Sequence, residues 1–82
     1  MGDFFTKATT SRGFRRFIFN DEYRQECSVQ KSSLAEIDAI WLGVDLDIHR
    51  HVSARMHLSR DMVRSLLPVL QHFADTGELP DA

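Results

Sequence analysis

Asp45, Asp47, His49 and His51 crowd one stretch of this chain, and His57 follows a few residues later. Imidazole and carboxylate are donors that zinc accepts, so the atom types for a metal site are present. The spacing argues against one. His49 and His51 share a side only in an extended segment, His57 falls in another element, and no cysteine pair accompanies them. No metal and no cofactor is therefore expected. Cys27, the single cysteine, could serve as a nucleophile if a histidine generated its thiolate. It stands instead within the alternating run Glu26-Cys27-Ser28-Val29-Gln30, away from any helix N-terminus, where a lone cysteine is usually a compact apolar filler. Nucleophile, base and oxyanion donors are not gathered by any motif, so a noncatalytic protein is expected.

Two further groups of residues could bind. Arg12, Arg15 and Arg16 are threaded among Phe14, Phe17 and Phe19 in RGFRRFIFND, which suggests arginine contacts to phosphate beside aromatic stacking. The commoner reading is an amphipathic strand whose arginine stems cover apolar surface while their heads stay in water. Glu36, Asp38, Asp45 and Asp47 could form an acidic patch that imitates nucleic-acid phosphates on a basic target, or simply a solvated loop. Trp41 fits a core and an interface alike, the core being the more frequent place. The residues picked out as a binding surface are Arg15, Arg16, Phe17, Tyr23, Trp41, Asp45 and Asp47.

These side chains must be positioned by a small set of elements. Residues 6 to 13, TKATTSRG, are small and polar and read as the end of a flexible lead-in over 1–13, although Phe4 and Phe5 could dock back. From residue 14 onward one domain is expected. Phe14, Arg16 and Ile18 alternate with Arg15, Phe17 and Phe19 as a strand; a polar turn at 20–24 leads to a second strand at 26–30. Residues 39–44 form a third, with Trp41 facing opposite to Ile40 and Leu42, and Arg55-Met56-His57-Leu58 can close the sheet as a fourth. Ser33 and Glu36 have capping-box spacing, with room for one helical turn at most.

Ser59 is a good N-cap, Asp61 lies in the first turn, and Gly77 supplies a terminating residue, so a helix is predicted from Arg60 to about Thr76. Its apolar stripe is read as Met62, Val63, Leu66, Leu67, Leu70 and Phe73, with a bend at Pro68. The fold class is α+β: an antiparallel sheet of three to four strands with one C-terminal amphipathic helix packed on one face.

Composition narrows the function classes. The 82 residues allow one small core, and 43% apolar with 27% charged residues is ordinary for a folded domain. One cysteine rules out an intrachain disulfide and fits a reducing cytoplasm. Neither a membrane span nor a signal peptide is read in the chain, so no membrane partner is expected. The net charge of -2 disfavours a general polyanion binder. That charge is unevenly spread, since residues 1–25 carry five basic and three acidic groups and residues 26–50 carry two and five.

The block Cys27-Ser28-Val29-Gln30-Lys31-Ser32-Ser33-Leu34-Ala35, then Ile40-Trp41-Leu42-Gly43, then Arg55-Met56-His57-Leu58-Ser59-Arg60 running through Leu66-Leu67-Pro68-Val69-Leu70 to Thr76-Gly77-Glu78-Leu79, resembles a family of small phage and prophage proteins of unknown function. The resemblance spans roughly residues 17 to 79 and implies a viral accessory role without transferable catalytic residues. By analogy with other phage accessory proteins, it points to inhibition of a bacterial defence complex, as anti-CRISPR proteins do, in the cytoplasm of the host. The expected partner is thus a host or phage protein complex, or a second copy of the chain, bound on the sheet face that the helix leaves open. Nucleic-acid binding by the arginine strand is the alternative.

Overall fold

The computed structural model describes residues 4–33, 36–45 and 55–80. Its elements are β1 (Thr6–Thr9), β2 (Arg15–Asn20), β3 (Glu26–Lys31), β4 (Ile40–Val44) and α1 (Arg60–Thr76). The strands form one antiparallel sheet in the order β1-β2-β3-β4, each paired with its neighbours in sequence. The α+β class expected from the sequence is the one observed.

Register explains the two faces. Phe17 lies opposite Val29 and Phe19 opposite Cys27, so all four turn to one side, and Ile40, Leu42 and Val44 of β4 follow them. There Phe17, Phe19, Cys27 and Val29 meet Leu66 and Val69 of α1 and Leu79 beyond it, in a core to which Phe4, Phe5, Ile40, Val44, Met56, Leu58, Leu70 and Phe73 add partly buried surface, while Leu42 stays largely outside it. Burying a large apolar side chain contributes about 1.5–3 kcal/mol, so these residues hold helix to sheet.

Two expectations are corrected here. The stretch read as a flexible lead-in contains β1, which pairs Thr6 with Ile18 and Thr9 with Arg15. Phe5 stacks on Phe17 at 5.5 Å and on Phe19 at 5.6 Å, and Phe4 on Phe19 at 5.0 Å. Aromatic burial on β2 thus anchors the chain just before β1. Residues 55–58 do not form a strand; they pass beneath the β2–β3 turn and lead into α1. The fourth strand is β1 instead.

The helix bounds agree with expectation. The Ser59 hydroxyl accepts from the Met62 N–H at 3.2 Å, and Gly77 at φ 76 donates its N–H to the Phe73 carbonyl. The buried stripe is shifted, however. Val69, absent from the expected stripe, is buried, whereas Leu67 is 56% exposed. α1 runs unbroken across Pro68, which lies on its exposed side.

Candidate functional site on the open face of the sheet

The face turned away from α1 carries Arg16 and Ile18 of β2, Glu26, Ser28 and Gln30 of β3, and Trp41 and Gly43 of β4, continuing to Asp45. At one end, charge is consumed internally. Arg16 Nη2 donates to Asp45 Oδ2 at 2.6 Å, and the Ser28 hydroxyl donates to Asp45 Oδ1 at 2.8 Å. Glu26 adds a weaker ion pair to Arg16 at 3.9 Å. One carboxylate therefore clamps β2 and β3 to the end of β4, and its two partners leave it a poor imitation of a free phosphate. Ser28 is buried beneath this clamp, its proton held by the Asp45 carboxylate.

Trp41 dominates the other end, 57% exposed. The alternation that sends Ile40 and Leu42 toward the helix leaves it on the open face, so the core placement read as more frequent does not hold. Shallow depressions lie on either side of it. One, about 180 Å³, is bordered by Ser28, Gln30, Gly43 and Asp45; the other, about 150 Å³, by Thr10, Arg12, Phe14 and Gln30.

The remaining residues read as a binding surface are scattered. Phe17 is buried in the core and cannot meet a partner directly. Arg15 points to the helix side, where Nη1 donates to the Leu79 carbonyl at 3.2 Å. Arg15 and Arg16 thus occupy opposite faces and do not form one phosphate grip. Tyr23 is exposed in the β2–β3 turn, its ring 4.7 Å from that of His57. Asp47 lies outside the described residues, as do His49 and His51. Among the described residues no three of His, Cys, Asp and Glu converge as metal ligands, and no helix is long and apolar enough to cross a membrane.

Cys27 is fully buried, and its thiol donates to the Gln25 carbonyl at 3.6 Å. Burial first, then the negative charges of Asp21 and Asp45, push its pKa up to about 11. That is the reverse of an activated thiol.

Among the described residues Asp21, unremarked in the sequence beyond its turn propensity, has a heavily engaged side chain. It is 3% exposed. Oδ1 accepts from the N–H groups of Tyr23 and Gln25, both at 2.9 Å. Oδ2 accepts from Gln25 Nε2 at 2.8 Å and from the His57 N–H at 3.0 Å. Burial pushes the carboxyl pKa upward, but the bonds from His57, Gln25 and Tyr23 outweigh it and hold the group below the usual carboxylate value. The Glu22 N–H in turn donates to the His57 carbonyl at 2.8 Å. The cluster ties the turn to residues 55–58 and is a structural joint, not a reactive site.

What the fold and this face define is a small meander sheet, backed by one helix, with a tryptophan displayed on its open side. No family model, curated protein or solved structure matches the chain.

Proposed function

We propose that this chain is a noncatalytic protein-binding domain that meets its partner through the open sheet face around Trp41. The observation that carries the reading is Trp41 itself, 57% exposed between two shallow depressions on a face of paired strands. Tryptophan is among the residues that dominate interface energetics, because a large flat apolar ring with one donor gains much on desolvation. Depressions beside such a ring suit side chains of a partner better than an enclosed small molecule.

Within that class we assign the chain a phage or prophage accessory role, as an inhibitor of a bacterial defence complex acting in the host cytoplasm. Its support is the resemblance of the three ordered sequence blocks. Protein is favoured over nucleic acid because Phe17 and Phe19 are in the core, Arg15 and Arg16 diverge, and the net charge is -2.

The test is to retain partners from a bacterial lysate on the immobilised full chain, then to titrate the purified partner against wild type and Trp41→Ala. A hot-spot residue costs about 2 kcal/mol or more when truncated, a loss of affinity of about 30-fold, and the melting curve should stay where it was. Equal affinity of the folded variant would remove Trp41 from the interface. Salt-sensitive micromolar binding of an oligonucleotide, lost in a folded Arg15→Ala, Arg16→Ala variant, would transfer the function to nucleic acid.

A further inference from the structure

The two edges of the sheet are built differently. β1, Thr6–Thr9, is four residues long and carries Lys7 and two threonines, the kind of edge that resists further pairing. β4 reads Ile40-Trp41-Leu42-Gly43-Val44, with no charge and no proline. Trp41 and Leu42 of this strand are exposed large apolar residues, at 57% and 38% exposure, and Ile37 in the turn just before it is 70% exposed. Among the described residues no strand pairs with its outer side.

Its backbone polarity is fixed by β3. The Ser32 N–H donates to the Ala39 carbonyl and the Asp45 N–H to the Glu26 carbonyl, so odd-numbered residues of β4 turn their polar groups inward to β3. Ile40, Leu42 and Val44 turn theirs outward. We infer that this edge pairs antiparallel with β4 of a second copy, about a two-fold axis at Leu42, joining two sheets into one.

The register is self-complementary at every position. Leu42 meets Leu42 of the second copy and Ile40 meets Val44, each as a hydrogen-bonded pair of the outward-facing residues. Trp41 then lies across from Gly43 of the second copy at the intervening non-hydrogen-bonded position, where side chains approach most closely. Gly43 is open there, since a Cβ built on it meets no atom within 4 Å. An aromatic ring laid over a cross-strand glycine covers backbone that otherwise faces water, a known compensation for glycine in sheets. The depression beside Gly43 receives the indole, and Leu42 and Ile40 close the opposite side. Self-pairing shares Trp41 with the proposed partner binding but differs from it in using the outer backbone edge of Ile40, Leu42 and Val44, whose side chains lie on the helix side; it sets two copies of the open face side by side.

The experiment measures the mass of the wild-type chain by light scattering or sedimentation from about 1 µM to 1 mM, a span that brackets weak to moderate dimers. The expected result is a concentration-dependent rise from the 9.5 kDa chain mass to twice that value. Trp41 is the only tryptophan, so its emission should shift to shorter wavelength in step with the mass. Leu42→Lys sets two ammonium groups against each other at the two-fold axis; its circular dichroism should match wild type, while its mass and emission stay those of the monomer. A wild type monomeric throughout the range overturns the inference, and so does a dimer that survives in folded Leu42→Lys. Binding of another protein's extended strand by a chain that never self-associates overturns it as well. A monomeric Leu42→Lys that still binds the partner lost by Trp41→Ala separates this interface from the one proposed above.

Discussion

Replacing Asp21 by alanine takes the acceptor from four donors at once: the N–H groups of Tyr23, Gln25 and His57, and Nε2 of Gln25. Both Gln25 donors are buried, but Nε2 also donates to the Arg55 carbonyl at 3.2 Å, so the main loss falls on the Gln25 N–H, where a lost acceptor costs about 1–3 kcal/mol. The other two are partly buried, reach water more easily, and cost a fraction of that. Removing the carboxylate also relieves the cost of burying its charge, which returns part of the loss. A net destabilisation of about 2 kcal/mol follows, against a total of about 4–12 kcal/mol for a chain of this length. With a urea slope near 1 kcal/mol/M, the midpoint at pH 7 should fall by about 2 M.

Asp21→Asn sharpens the test. Its oxygen can keep the Tyr23 and Gln25 N–H groups, but its NH2 then faces the donors of Gln25 and His57, so about half the effect should remain. The carboxyl of Asp21 titrates lower in the folded chain than in the unfolded one, where its pKa is about 3.9. As pH falls the unfolded chain takes up the proton first. The stability from the charge is therefore present above about pH 4 and lost as pH drops through the folded value. Wild type should accordingly lose more stability than Asp21→Asn between about pH 5 and pH 2.5. An Asp21→Ala midpoint within about 0.5 M of wild type would refute the account of this joint.

Leu66→Ala should cost about 2–5 kcal/mol, while Leu67→Ala, one residue along the helix but exposed, should change stability by less than about 1 kcal/mol; chemical denaturation of the pair decides whether the helix face has been assigned correctly. The Cys27 thiol, its pKa near 11, should be alkylated by iodoacetamide at pH 8 at least about 100-fold more slowly in the native chain than in urea, and equal rates would contradict its burial. Because the unfolded thiol ionises nearer pH 8.5, its contribution to stability is complete below that pH and declines as pH rises toward 11.

Elements governed by local chemistry were legible in the sequence. Ser59, Asp61 and Gly77 mark the ends of α1 without reference to anything distant, and the alternation in β2, β3 and β4 assigns their faces residue by residue. β1 was not legible, because four residues are too few to establish a period and its pairing depends on rings of Phe4 and Phe5 finding β2. The helix face was legible only as a broad arc. Apolar residues at 62, 63, 66, 67, 69, 70 and 73 cover nearly half the circumference, and the sheet, not the pattern, decides that Leu66 and Val69 lie at its centre.

The polar joints escaped sequence reasoning for a related reason. Asp21 is a commonplace turn residue until His57, 36 positions on, supplies a donor to its second oxygen. Arg16 and Asp45, 29 positions apart, looked like members of two opposed binding surfaces, one basic and one acidic. Joined, they cancel each other. Because α1 covers only one side of the sheet, this clamp and the buried Ser28 stabilise one end of the open side with polar contacts, and exposed apolar surface is left at Trp41 of β4. A domain whose open face were merely a by-product of small size would be expected to spread that surface over all its strands. On that face it is gathered at Trp41, and Leu42 on the other side of the same uncharged strand is exposed as well, which makes this edge the place where another chain would gain most by docking.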